Sequence, residues 1–517
     1  MGAAPDMKRE NKILIIDCGS QYTQLIARRV RELGVYSEIL FWDSPSEKIA
    51  ASNPMGIIIS GGPRSVLDKD APSLPKELIS DVPLLGICYG MQLLAHMFGG
   101  TVERGEKAEY GRAFVDVQGG RLFTRCGGDK KLEVWMSHWD EVKKLPEGFR
   151  VTARSESGAM AGFESEDGRV CALQFHPEVA HTPRGQDILS AFLFDVCGCS
   201  ADWTLGMEWI EQEIEKIRTK VGGGRVICGL SGGVDSTVSA VITQRAVGDR
   251  LYCIFVDHGM MRKDEGKQVM ETYRSLNLNV RYVDAEARFL KALEGVTEPE
   301  RKRKIIGELF IRIFEEEARS VGGSDWLLQG TIYPDVVESG HSGGGVIKSH
   351  HNVGGLPKDM KMGLLEPLRD LFKDEVRRVG AALGVPKHFI GRHPFPGPGL
   401  GVRCLGELKK ERLDILREAD AIFIEEIRRF GLYDDIWQAF CALLPVRSVG
   451  VVGDVRTYGE TVVLRAVSSL DAMTAEWVRL PYELLDNVSR RICNEVPQVN
   501  RVVLDITGKP PATIEWE

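Results

Sequence analysis

Two stretches of this chain alternate short, wholly apolar runs with helix-length amphipathic segments, and this rhythm restricts the architecture more than any other feature. In the first stretch, KILIID (12–17) precedes a helix-like run at 20–34. GIIIS (56–60) and VPLLGIC (82–88) are further apolar runs, and 91–100 has helical period and ends in two glycines. In the second, a helix-like run at 206–222 leads into RVICGL (225–230), then LYCIFVDHG (251–259). A charged helical stretch at 297–318 and DWLLQGTIY (325–333) follow. Uniformly apolar strands separated by helices belong to parallel sheets covered on their faces. The expected fold class is therefore α/β: two open, mostly parallel-sheet domains followed by a smaller α+β domain. In that last part, helices at 408–430 and 471–494 accompany strand-like runs at 448–454, 460–468 and 501–506.

Punctuation sets the expected boundaries. From about residue 109 the first stretch turns to short β-like runs that end at VCALQFHPE (170–178), and a helix-like segment at 186–198 closes it near residue 200. RHPFPGPGLG (392–401) alternates prolines and glycines as a domain junction would. Residues 337–357 are rich in glycine and histidine without any period, which suits a functional lid. The reading gives three domains, 11–201, 202–392 and 393–517, in keeping with 517 residues at roughly 100–200 per domain.

Composition narrows the function classes. A net charge of −8 argues against a nucleic-acid partner, which would need a basic stripe. No apolar run of about 20 residues is present, so no membrane partner is expected. The polar first twelve residues lack the apolar core of a secretory signal. Eleven scattered cysteines form no framework, and several lie inside apolar runs, as buried thiols do in a reducing cytoplasm.

Three constellations carry chemistry. Gly86, Cys88 and Gly90 in GICYG join an apolar strand to a helix, as in a nucleophile elbow with sulfur in place of a hydroxyl. The helix start directs positive potential at the thiol and favours a thiolate. His176 and Glu178 sit two apart around Pro177, on one face of an extended segment. They can serve as base and orienter for Cys88 if the fold brings the segments together. Alone, each is equally a structural residue at a strand end; the combination favours a relay. SGGP (60–63) is either a plain turn or a source of amides for an oxyanion. GICYGMQ, ISGGP and QFHPE resemble the signatures of class I, triad-type glutamine amidotransferases. That resemblance implies a γ-glutamyl thioester on Cys88, His176 and Glu178 completing the triad, and an oxyanion hole from the amides of Gly62 and Tyr89. MSHWDEV (136–142) resembles a family segment whose usual form is SHGD, with Trp139 at the glycine.

The second constellation is Ser231, Gly232, Gly233, Val234, Asp235, Ser236 and Thr237, between RVICGL and a helix. Glycine amides and a helix start form an anion nest, the hydroxyls add donors, and Asp235 can help hold Mg²⁺ beside phosphates. There is no Gly-Lys-Ser/Thr, so this is not a Walker loop. SGGVDS resembles the ATP pyrophosphatase signature. Val256, in the strand ending at Asp257 and His258, would lie near the adenosine. The family commonly has Asn at the position of His258.

The third constellation comprises the basic run around Arg303, the segment TIYPDVVES (331–339), the loop residues Lys348, His350 and His351, and the tail KPPATIEWE (509–517). A metal site at His350 and His351 is disfavoured, because adjacent histidines diverge and no cysteines flank them. The order of the amidotransferase signatures, SGGVDS, IKSHHNVGGLP, HPFPGPGLG and KPPATIEWE resembles the bacterial-type GMP synthase family. That resemblance implies XMP contacts at Arg303, Asp335, Gln438, Lys509, Ile514 and Glu515, and a lid carrying Lys348, His350 and His351. It further implies glutamine, ATP with Mg²⁺ and XMP as ligands, no tightly bound organic cofactor, a homodimer through the C-terminal domain and a cytoplasmic location. Rival readings are another glutamine-dependent ATP pyrophosphatase acting on a different acceptor, a tRNA-thiolating enzyme, or a sensing protein with relic sites.

Overall fold

The computed structural model describes residues 9–75, 82–339, 362–469 and 474–517. The chain divides into two compact units, Met1–Thr204 and Leu205–Glu517.

Nine strands build the sheet of the first unit: β1 (Glu10–Asp17), β2 (Tyr36–Phe41), β3 (Pro54–Ile59), β4 (Leu84–Ile87), β5 (Thr101–Val117), β6 (Lys131–Lys144), β7 (Phe149–Ser155), β8 (Met160–Ser165) and β9 (Val170–Leu173). Their order is β2-β1-β3-β4-β9-β8-β7-β5-β6. Strands β2, β1, β3, β4 and β9 run parallel, and the other pairings are antiparallel. The sheet is thus mixed rather than mostly parallel. Residues beyond 101 supply no helix-length crossovers, so their strands join through short connections, which permit only antiparallel pairing. Ile13 to Ile16 and Ile57 to Ile59 are all at most 1% exposed, as strands covered on both faces require. β6 instead alternates buried and accessible positions. The helix expected over 186–198 is α-helical only at Gly185–Ser190, and its second half, Ala191–Val196, widens into a π-helix.

In the second unit β10 (Val226–Leu230), β11 (Leu251–Asp257), β12 (Val280–Asp284), β13 (Trp326–Leu328) and β14 (Gly363–Leu365) form a parallel sheet in the order β12-β11-β10-β13-β14. The winding direction reverses between β10 and β13, which opens a crevice at their carboxyl ends. The strand expected at 325–333 is only three residues long, because Tyr333 already opens the helix Tyr333–Ser339. A third sheet holds the hairpin β15 (Gln438–Val452) and β16 (Val455–Ser468), with β17 (Glu476–Trp477) antiparallel and β18 (Val499–Leu504) parallel to β16. The strand expected from 448 therefore starts at Gln438. The helix expected from 471 starts at Tyr482, where Pro481 takes the cap position and sets its beginning.

Ile227 and Ile254 of the parallel sheet share one core with Leu400, Leu416, Leu464 and Ile492. Each such side chain contributes about 1.5–3 kcal/mol by leaving water. The 392–401 segment is packed into this unit: the Leu400 amide donates to Met260 O at 2.7 Å, and a β-carbon on Gly399 would lie 2.2 Å from that same oxygen. All eleven cysteines are free, and only Cys493 is not buried. Among the described residues no helix is long and apolar enough to cross a membrane.

Candidate active sites

The β4–helix turn puts Cys88 at φ 53°, ψ −107°, a backbone conformation that is costly for a residue with a side chain. The flanking glycines make the turn possible. A β-carbon on Gly86 would stand 2.4 Å from Gly90 O, and one on Gly90 would stand 2.3 Å from Ile59 O. The Cys88 amide donates to Leu173 O at 2.8 Å, which ties the elbow to the end of β9. Past that end, His176 Nδ1 and Glu178 Oε1 are 2.7 Å apart, both residues are buried, and a β-carbon on Gly61 would touch both the imidazole Cε1, at 3.3 Å, and Cys88 Cβ, at 3.7 Å. The structure therefore brings Cys88, His176 and Glu178 together.

Neighbours fix this arrangement. The His176 amide donates to Trp135 O at 3.0 Å, Thr182 Oγ1 donates to His176 O at 2.7 Å, and the Tyr22 ring stands edge-on to the imidazole. Burial pushes the His176 imidazole down. The charge of Glu178 and hydrogen bonds with Cys88 and Glu178 outweigh burial and lift it from 6.5 to about 10. The imidazole is thus held protonated at neutral pH, next to the sulfur. The 60–62 turn lies alongside: β-carbons on Gly61 and Gly62 would meet His176 Cε1 at 3.3 Å and Tyr89 Cγ at 3.4 Å. Tyr89 opens the helix, so its amide has no acceptor within that helix. Trp139 is exposed, with the Arg104 guanidinium 4.9 Å from its ring centre.

In the second unit the SGGVDS turn follows β10 at the crevice. Gly232 has φ +78°, and Gly233 caps the helix Val234–Val247. The hydroxyls organise the turn: Ser231 Oγ and Ser236 Oγ are 3.2 Å apart, and Thr237 Oγ1 donates to Gly233 O at 2.8 Å. Asp235 Oδ2 accepts from Lys373 Nζ at 2.9 Å, while its buried Oδ1 has no hydrogen-bond partner among the described residues. An orphaned carboxylate oxygen beside an anion nest suits a hard cation such as Mg²⁺. Val256 is buried in β11. His258 is buried too, and its Nδ1 accepts from the Met260 amide at 3.0 Å, the turn-closing contact that an asparagine side chain also makes. Burial pushes this imidazole down.

The tail supplies a third cluster. Glu515 accepts two bonds from Arg403, at 2.9 and 2.8 Å, and one from Gln438 Nε2 at 2.7 Å. Burial pushes the Glu515 carboxyl up, but the Arg403 charge and these bonds hold it below the usual range. Arg303 bonds Glu517 O, and Arg465 Nε bonds Ile514 O at 2.8 Å. Lys509 pairs with Ala475 in an isolated bridge. Asp335 Oδ2 accepts from the Ile332 amide at 3.1 Å. Lys348, His350 and His351 lie outside the described residues.

With this geometry in view, comparison with known proteins is direct. Residues 14–196 match the family model "Glutamine amidotransferase class-I", 205–312 match "NAD synthase", and 425–516 match "GMP synthase C terminal domain". A glutamine-hydrolysing GMP synthase of Symbiobacterium thermophilum is 56% identical over 512 residues, 99% of this chain and 100% of that protein. Those of Alkalilimnicola ehrlichii and Aquifex aeolicus are each 56% identical, over 98% of this chain and 99% of theirs. The chain belongs to the glutamine-hydrolysing GMP synthase family.

Several residues at the sites of this GMP synthase family member had no signal in the linear sequence. Lys373 reaches Asp235 from 138 positions away. Arg392 Nη1 donates to Gly232 O at 3.4 Å. A β-carbon on Gly330, just beyond β13, would lie 2.9 Å from the Ser236 amide. The strand order reveals this last one, since β13 neighbours β10. Gln174, whose Nε2 is 3.8 Å from Cys88 Sγ, was missed too, although it lies two residues before His176 and the alternation of an extended segment could have found it.

Proposed function

We propose that the chain converts XMP to GMP with ammonia from glutamine while cleaving ATP to AMP and pyrophosphate. The observation that carries this reading is a buried Cys88–His176–Glu178 relay in the same chain as an SGGVDS nest at a sheet's switch point. Cys88 Sγ attacks the glutamine amide carbon, and the oxyanion faces the amides of Gly62 and Tyr89. The His176 imidazolium protonates the leaving nitrogen, giving ammonia and a γ-glutamyl thioester. Water then attacks the thioester, with the neutral imidazole as base, and releases glutamate.

In the second unit, O2 of XMP attacks the α-phosphorus of ATP and expels pyrophosphate, leaving an adenylated XMP. Ammonia adds at C2, and AMP departs with O2. Ser231, Gly232, Gly233, Val234, Ser236 and Thr237 would cradle the phosphates, Val256 would face the adenosine, and Asp235 would hold the Mg²⁺ that accompanies ATP. Arg303, Asp335, Gln438, Lys509, Ile514 and Glu515 would contact XMP, and Lys348, His350 and His351 would act from a lid. The organisation would be 11–201 for glutamine hydrolysis, 202–392 for ATP, and 393–517 for XMP and dimerisation. A homodimer through the last region is supported by apolar residues left in water on the β15–β16 hairpin. Val451 is 71% exposed and Tyr458 65%, with Val449 and Val455 beside them. The location would be cytoplasmic.

The test is a product assay with MgATP, XMP and either glutamine or ammonium. GMP, AMP and pyrophosphate are expected in equal amounts, with equal glutamate when glutamine is the donor. Formation of ADP and phosphate, or no GMP from either donor, would overturn the reading.

A further inference from the structure

The first unit closes on a pair of thiols that the reaction does not use. Cys197 and Cys199 flank Gly198, just beyond the π-helix Ala191–Val196. The Cys197 amide donates to Phe192 O and the Cys199 amide to Leu193 O, each at 2.9 Å, so both backbones are tied to that helix. Gly198 has φ +68°, which turns the chain between them, and a β-carbon there would meet nothing within 4 Å. Residues two apart are separated by at most about 7 Å when extended. A turn between them brings the α-carbons into the range of about 4.4–6.8 Å that a disulfide bridges.

Access separates this pair from the other thiols. Of the ten buried cysteines these two are the most exposed, at 7% and 8%, and their neighbours Gly198 and Ser200 lie at the surface. Cys228 and Cys253 are also directly opposed, across β10 and β11, but at 1% and 2% they are sealed within the sheet. Cys197 Sγ is seated at Gly56 of β3, where a β-carbon would stand 2.4 Å from it. Gly56 is near the start of β3, whereas Cys88 follows the carboxyl end of the parallel strand β4. The pair and the nucleophile therefore occupy opposite edges of the sheet. The two thiols are also unequal. Burial pushes Cys197 up, and Cys199 beside it adds to the rise. Cys197 in turn pulls the Cys199 thiol down, against burial and the charge of Asp202. A thiol drawn toward the thiolate next to one that keeps its proton is the arrangement of an attacking and a resolving cysteine.

We propose that Cys197 and Cys199 form a redox site, closed to a disulfide by a hydroperoxide and reopened by a dithiol. The Cys199 sulfur attacks one peroxide oxygen. An S–O bond forms as the O–O bond breaks, giving a sulfenic acid, and the departing oxygen takes the thiol proton and leaves as water or an alcohol. The Cys197 sulfur then attacks the Cys199 sulfur. The S–S bond forms as the S–O bond breaks, and the hydroxyl leaves as water with the Cys197 proton. The two thiols lose two electrons and the peroxide gains them. A dithiol reverses the closure by exchange and becomes a disulfide itself.

The test treats the full-length protein with hydrogen peroxide, alkylates the remaining thiols, digests with trypsin and weighs the peptides. Both sulfurs fall in one peptide, 185–216, which holds no other cysteine. That peptide is expected to escape alkylation and to lose the mass of two hydrogens, and dithiothreitol should restore both thiols. Its oxidation should run at least about tenfold faster than that of Cys228 and Cys253, as the difference in access requires. In Cys197→Ser, Cys199 should stop at a sulfenic acid that dimedone captures. In Cys199→Ser, Cys197 should stay reduced. A cooperative melting transition before peroxide is added reports that each variant is folded. If neither variant folds, the wild-type peptide decides alone. A peptide 185–216 that remains a dithiol while Cys88 is oxidised, or that oxidises no faster than Cys228 and Cys253, overturns the proposal. A folded Cys199→Ser whose Cys197 takes up dimedone overturns the assignment of Cys199 as the attacking thiol.

Discussion

Replacing Glu178 by Gln keeps the shape of the relay and removes its negative charge. Glu178 lies 2.7 Å from His176 Nδ1 and is the leading cause lifting that imidazole from 6.5 to about 10. A rise of that size corresponds to about 4–5 kcal/mol of preference for the charged ring, summed over all causes. In the variant the burial effect is opposed only by Cys88, so the ring should titrate near or below 6.5. A hydrogen bond to a charged group is worth about 1.5–3 kcal/mol, so glutamine-dependent kcat should fall on the order of 10–100-fold. Ammonia-dependent synthesis should be unchanged. Because the folded-state value lies above the unfolded one, the relay's contribution to stability is complete below pH about 6.5. It is lost as pH rises through about 10. The melting temperatures of wild type and variant should therefore differ most at low pH and converge at high pH. The assay is an NMR titration of labelled histidine beside both nitrogen-donor activities. An imidazole that titrates alike in both proteins would refute the reasoning.

Other perturbations have equally definite outcomes. Gly90→Ala places a methyl 2.3 Å from Ile59 O, so the elbow must shift. A cost of about 1–3 kcal/mol should appear as a lower melting temperature, with loss of glutamine-dependent but not ammonia-dependent synthesis. Arg403→Met strands Glu515 in a buried site and should cost about 3–5 kcal/mol in urea unfolding. KM for XMP should rise in parallel, while glutamine hydrolysis measured without XMP stays as it was. Val451→Glu combined with Tyr458→Glu should give a monomer by light scattering, and a persistent dimer would exclude that hairpin as the contact.

Legibility in the sequence followed the range of the forces involved. The buried strands and the two turns were readable because local rules govern them. The run around Ile13–Ile16 is apolar throughout, and the glycines at 86, 90, 232 and 233 mark backbone that must bend or approach closely. The antiparallel half of the first sheet was less legible, since β5 and β6 pair through long-range register. The start of β15 at Gln438 likewise depended on its pairing with β16, whereas the helix start at Tyr482 is marked locally by Pro481. Lys373 beside Asp235 and Arg403 beneath Glu515 are pairings across long sequence separations. No spacing rule marks them, and only the folded chain brings them into contact.

The central claim is that nitrogen release and nucleotide activation reside in separable places. Glutamine labelled with ¹⁵N at the amide, supplied to Cys88→Ala and to Asp235→Asn, measures this directly. Cys88→Ala should make no labelled GMP yet retain synthesis from ammonium, and Asp235→Asn should be impaired with either source. Labelled GMP from Cys88→Ala, or undiminished synthesis by Asp235→Asn, would contradict the account.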